Sequence, residues 1–352
     1  MSPRLLRFLK WDLPYVLIIA LEIAWVVRAC TAKRPDKAAT PPSRSPSSMV
    51  FDRDAPATTE EMYRALKEHP AAAVIAAGIV LALAVGGIVG LVLLIIVAWY
   101  AYKGVPLMGQ EPLLGPRWSL WDVVKVGALF PFYEIVTMYA LQYLVRAGVL
   151  PWTQPLVLGL SSSFVSRTLG VLLILWVVRV ERGQEIRQLG LRVTRVLRHL
   201  LTAGLAYVAF LPILALVVVV NVLVMRWIEQ PLDTSSPIVR AVIRGGAPLV
   251  LLFLIGTIAA PVAEELFFRG LMQPVLRRRV GRGLSIAITA LLFAAVHMSV
   301  YQIFPVFVLG LFFGYVADRK QSVVPSIVLH SVHNTLFLTL IVSTQRLMGA
   351  AG

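Results

Sequence analysis

The chain has 352 residues, of which 58% are hydrophobic and 14% charged, with a mean hydropathy of +0.80, whereas soluble domains are about 45–50% apolar and 25% charged. The apolar residues run together over membrane-spanning lengths instead of recurring at amphipathic spacing, which excludes a soluble globular enzyme. The net charge of +15 falls largely in connections between those runs, where it orients spans and attracts anionic lipid, so the expected partner is the bilayer and not nucleic acid.

From the N-terminus, Arg4, Arg7 and Lys10 precede an apolar stretch from Leu13 to Val27 interrupted by Glu22. Residues 1–31 are read as an uncleaved membrane anchor or signal-anchor. Residues 32–70, with Pro-Pro-Ser-Arg-Ser-Pro-Ser-Ser at 41–48, have the composition of a flexible polar linker. Apolar runs follow at about 71–100, 120–145, 157–179, 200–225, 247–268, 284–299, 303–317 and 324–343. The pattern predicts an all-α polytopic membrane bundle of about eight to nine transmembrane helices. Residues 71–199 supply additional helices, and 200–345 form a C-terminal domain.

Between 180 and 199, Ile186, Leu189, Val193, Val196, Leu197 and Leu200 recur at helical spacing beside Arg192, Arg195 and Arg198, which predicts an interfacial helix. With the N-terminus inside, Lys103, Arg117, Arg182, Arg187, Arg277, Arg278, Arg279, Arg282, Arg319 and Lys320 all fall in inner segments, as the positive-inside rule requires. The expected location is an inner, bacterial cytoplasmic membrane. Gly86-x-x-x-Gly90 and Gly310-x-x-x-Gly314 read as small faces for close helix packing.

Ionisable side chains within spans cost about 2.5–3.5 kcal/mol each on insertion scales, so each needs a reason. Glu22, Lys125 and Glu134 are isolated and are expected to face the bundle or snorkel. The last third is different, because Glu264-Glu265-Leu266-Phe267-Phe268-Arg269, Phe293-x-x-x-His297 and His330-Ser331-Val332-His333-Asn334 lie in or at the ends of successive apolar runs. Cys30 is the one cysteine, so chemistry must come from carboxylate, His, Asn or Ser.

Helical spacing separates roles among these groups. Glu265 and Arg269, four apart, share a helix face and can neutralise each other at membrane depth. Glu264 points about 100° away with no local counter-charge, the position of a general base. His330 and Asn334 share another face. A carboxylate, two imidazoles and a carboxamide support hydrolysis, in which Glu264 accepts a proton from water, a histidine orients that water and a His/Asn pair donates to an oxyanion.

These three motifs, in this order on successive apolar helices, resemble those of the CPBP intramembrane proteases, also called the CAAX protease and bacteriocin-processing or ABI family. The resemblance covers roughly residues 200–345. It implies an endopeptidase cutting a membrane-associated peptide or protein, including prenylated CAAX-type substrates. Glu264 would activate water with help from His297, His330 and Asn334 would hold the oxyanion, Glu265 and Arg269 would form a structural pair, and Phe293 would line the pocket.

Metal-free water activation is the expected chemistry, since no His-Glu-x-x-His motif is present and a His/Asn pair suits an oxyanion. If a divalent metal such as zinc were used, Glu264, His297 and His330 would be its ligands. His333 reads as a core histidine or a supporting donor, and Ser161, Ser162 and Ser163 as helix packing. Two other functions fit parts of the pattern. One is a non-catalytic scaffold or bacteriocin-immunity-type protein on the same fold; the other is a transporter, which would require inverted repeats that the sequence lacks.

Overall fold

A computed structural model describes residues 12–31, 67, 70–104, 108, 115, 117–151, 154–192, 195–228 and 248–350. The basic N-terminal residues, nearly all of the 32–70 linker and the connection 229–247 lie outside the described residues. The chain divides into one unit of residues 1–75 with 343–352 and a second of 76–342. The first contains α1 (Leu13–Thr31), whose apolar stretch Leu13–Glu22 is shorter than a span.

Among the described residues there are seven further helices, each long and apolar enough to cross a membrane. They are α2 (Pro70–Tyr102), α3 (Leu120–Arg146), α4 (Pro155–Glu181), α5 (Val196–Trp227), α6 (Leu249–Ala295), α7 (Val300–Lys320) and α8 (Val324–Ala350). The protein is thus an all-α integral membrane bundle.

Helix α6 has 47 residues, or about 70 Å if straight, more than twice the roughly 30 Å hydrocarbon core. It is not straight. Gly281 adopts φ 77° and ψ 179°, a left-handed conformation that a side chain strains, and the chain reverses there. Phe293 lies against Arg269 at 4.4 Å, and Thr289 reaches Gln273 at 3.4 Å; both pairs are equidistant from Gly281. One continuous helix by backbone pattern therefore folds as two antiparallel limbs, 249–280 and 282–295, matching the two expected apolar runs. The arginines expected in a loop between them are helical and flank the reversal.

Among the described residues, 182–192 do not form the expected interfacial helix, and Val196–His199 belong to α5. A short 3₁₀ turn, Ile186–Leu189, ends at Gly190 with φ 84°. Gly190 carbonyl oxygen accepts from Val323 N–H and Ser322 Oγ, each at 3.0 Å, and Leu189 is buried. Tertiary contacts of this connection win over its helical periodicity.

The small-residue faces pack as expected. A Cβ on Gly90 would stand 2.3 Å from Val208 carbonyl oxygen. That carbonyl is left without its helical donor because Pro212, four residues on, has no N–H. Gly90→Val is therefore expected to force α2 off α5 and lower the unfolding temperature in detergent, at an overpacking cost of about 1–3 kcal/mol. Gly87→Val, which meets nothing within 4 Å, should leave it unchanged.

Lys125 and Glu134, isolated in the sequence, both reach partners on α4. Lys125 binds Glu181 at 2.6 Å and Asp122 at 3.3 Å, and Arg182 binds Asp122 at 2.5 Å, which fastens α3 to the end of α4. Glu134 accepts from Ser166 Oγ, and Ser162 bonds Thr137 at 2.7 Å. The serines of α4 thus serve helix packing. A core of Ala203, Tyr207, Leu309, Phe313, Val316 and Leu329 ties α5 to α7 and α8.

Candidate active site

Two π-helical turns, Leu254–Ala259 and Leu266–Met272, bracket Glu264 and Glu265 on the first limb of α6. Such turns break the regular hydrogen-bond ladder and recur at functional sites. Here each exposes a carbonyl to a side chain: Asn334 Nδ2 donates to Gly256 at 2.8 Å, and Trp118 Nε1 donates to Leu271 at 2.8 Å. The first of these ties α8 to the helix that carries the carboxylates.

Glu265 is fully buried, and its Oε1 accepts from Arg269 Nη1 at 2.9 Å and from His330 Nδ1 at 3.1 Å. An arginine-paired carboxylate only accepts, so His330 carries its proton on Nδ1. Its Nε2 then faces Glu264 Oε2 at 3.8 Å. Glu264 retains a side-chain exposure of 23%. The two adjacent glutamates thus have different environments, one locked in the core and one open to a reactant.

Aromatic rings hold these groups in place. His330 stacks on Phe313 with centroids 5.2 Å apart and meets Phe293 edge-on at 5.7 Å. Arg269 lies over the Phe293 ring and also donates to Gly310 carbonyl oxygen at 3.2 Å. The glycines of α7 therefore do more than pack, because Gly310 and Gly314 present carbonyls to Arg269 and Gln273.

His297 lies in the turn just beyond α6, where Phe293 carbonyl oxygen accepts from its Nδ1 at 2.8 Å. That bond leaves Nε2 as an acceptor. Its ring touches Phe293 at 5.0 Å, so one phenylalanine contacts both histidines.

All seven residues singled out from the sequence, Glu264, Glu265, Arg269, Phe293, His297, His330 and Asn334, thus lie in one connected region. Among the described residues no three His, Cys, Asp or Glu side chains are grouped so as to hold a metal ion. Glu264, His297 and His330 are accordingly not grouped as a preformed ligand set.

Sequence reading missed two features. Tyr207 OH meets His333 Nδ1 at 2.9 Å, so His333 is a partnered histidine, one turn from His330. Phe313 stacks under His330. Nothing distinguishes either aromatic from the apolar runs that contain them.

Residues 246–336 match the family model described as type II CAAX prenyl endopeptidase Rce1-like. No curated protein and no solved structure gives a significant match to the chain.

Proposed function

Since residues 246–336 match the model of the type II CAAX prenyl endopeptidases, we propose that this membrane protein is an endopeptidase that hydrolyses membrane-associated, CAAX-type substrates with Glu264 as general base. The observation that carries this reading is the double use of Glu265, which accepts from both Arg269 and His330 and so directs His330 Nε2 at Glu264.

Glu264 and Glu265 carry two negative charges against one on Arg269. The reacting form needs one further proton, on His330 Nε2, to balance the second carboxylate. With that proton on His330, Glu264 is a carboxylate and both imidazole nitrogens donate. A water between them passes a proton to Glu264 as its oxygen bonds to the scissile carbonyl carbon. His297 Nε2 accepts the other water hydrogen and orients the attack.

The oxyanion formed accepts from His330 Nε2–H and from the Asn334 N–H that is not spent on Gly256. Collapse breaks the C–N bond, and Glu264 returns its proton to the leaving amine. No step of this scheme is assigned to a metal.

The test is cleavage by purified protein in liposomes of otherwise identical prenylated and unprenylated peptides. His330→Ala should lower kcat by about 10²-fold or more, and exhaustive chelation should leave the wild-type rate unchanged. Absence of cleavage of either peptide, with variants that still complement a deletion, would establish the scaffold reading instead.

A further inference from the structure

Between His330 and Asn334, α8 sends polar side chains to two different neighbours. His330 Nδ1 donates to Glu265 and Asn334 Nδ2 donates to Gly256, both on the first limb of α6. His333 turns elsewhere, and its Nδ1 shares a hydrogen bond of 2.9 Å with the hydroxyl of Tyr207 on α5. The hydrolysis above uses His330 and Asn334 and leaves the Tyr207–His333 bond without a part.

Helix geometry gives that bond one. At 3.6 residues per turn, His333 projects about 60° to one side of His330 and Asn334 about 40° to the other. Two attachments to one neighbouring helix define an axis, and α8 is free to roll about it. A third attachment, to a different helix and off that axis, stops the roll. Leu329 shares an apolar core with Tyr207, Leu309 and Phe313, but apolar contact is non-directional and permits sliding where a hydrogen bond does not.

Tyr207 is itself firmly held. It is 7% exposed, and its ring centroid lies 5.9 Å from that of Phe312, whose neighbour Phe313 carries the stacked His330 ring. The size of the effect follows from a lever arm. His330 Nε2 stands about 7 Å from the axis of α8, the Cα radius plus the side chain, so a roll of about 10° moves it by about 1 Å. Reacting groups need placement to within about 0.5 Å, and an error of about 1 Å costs up to 10²-fold in rate. We propose that Tyr207 and His333 are positioning residues, whose bond fixes the rotation of α8 that sets His330 Nε2 against Glu264. The catalytic consequence rests on the protease reading above; the placement of His330 does not.

The test uses full-length protein in nanodiscs and the prenylated and unprenylated peptides already described. Tyr207→Phe keeps the ring and removes the hydroxyl, and should lower kcat about tenfold with KM nearly unchanged. His333→Leu should do the same. His333→Asn, whose amide stands close to the place of Nδ1 and still bonds Tyr207, should keep kcat within about threefold of wild type. The double variant Tyr207→Phe/His333→Leu strands no polar group, so it should regain the unfolding temperature lost in Tyr207→Phe without regaining kcat.

Nitrogen-15 spectra of the histidine rings, with His330 assigned by its absence in His330→Ala, read its placement without reference to proteolysis. Tyr207→Phe and His333→Leu should shift or broaden the His330 signals, and His333→Asn should not. Unchanged signals in the first two overturn the proposal whether or not any peptide is cleaved. Recovery of kcat along with stability in the double variant overturns it too, as does a raised KM with kcat intact, which would make the pair a substrate contact. Shifted signals in a protein that cleaves neither peptide uphold the positioning and refute the protease reading alone.

Discussion

Glu264→Gln is expected to lower kcat for peptide hydrolysis by about 10³-fold or more, with unfolding temperature and KM nearly unchanged. The amide keeps the shape of the side chain and cannot take a proton from water, and a positioned general base contributes roughly 10²–10⁴ in rate. Glu264 makes no contact as demanding as those of Glu265, and at 23% side-chain exposure it can be neutralised without stranding a buried cation. Single-turnover cleavage in liposomes, with substrate binding measured separately, makes the comparison. A residual rate within tenfold of wild type would remove Glu264 from the role of base.

The neighbouring carboxylate should behave differently. Glu265→Gln leaves Arg269 buried without a counter-charge, a loss of about 3–5 kcal/mol, and also takes from His330 the acceptor that fixes its tautomer. Stability and activity should therefore fall together. The double variant Glu265→Gln/Arg269→Met removes both charges and should regain stability to within about 1–2 kcal/mol of wild type. Its activity should stay low, because His330 still lacks an anionic partner. Chemical denaturation in detergent together with kcat separates the two effects. Full recovery of activity in the double variant would show that Glu265 serves Arg269 alone.

That contrast also marks how far the sequence could be read. The Glu265–Arg269 pair was legible because residues four apart on a helix are neighbours wherever the helix goes. The bond from His330 to Glu265 spans 65 positions and depends on how α6 and α8 pack, which no local spacing encodes. The resemblance cast His297 as the aid to Glu264, and no spacing foretold that a second ring, His330, faces the same carboxylate. The two π-turns were invisible for a related reason: periodicity arguments assume a constant 3.6 residues per turn, and these segments depart from it. Hydrophobic runs did locate the spans, including both halves of α6. The same logic failed at 180–199, where apolar spacing reflects burial of Leu189 against the bundle and not a helix.

The returning limb of α6 has a consequence for kinetics. Its residues 282–295 cover about 21 Å, too little to cross a hydrocarbon layer of roughly 30 Å if the arginines at its start sit among headgroups. With the arginines at that level, the turn that carries His297 ends at hydrocarbon depth, and its neighbours Val296, Met298 and Val300, 61%, 89% and 62% exposed, form an apolar lip suited to lipid contact. A substrate of the proposed protease that reaches that lip would travel within the plane of the bilayer. Its effective concentration is a mole fraction of the lipid, so diluting the same substrate into more lipid slows the reaction even when the bulk concentration is held constant.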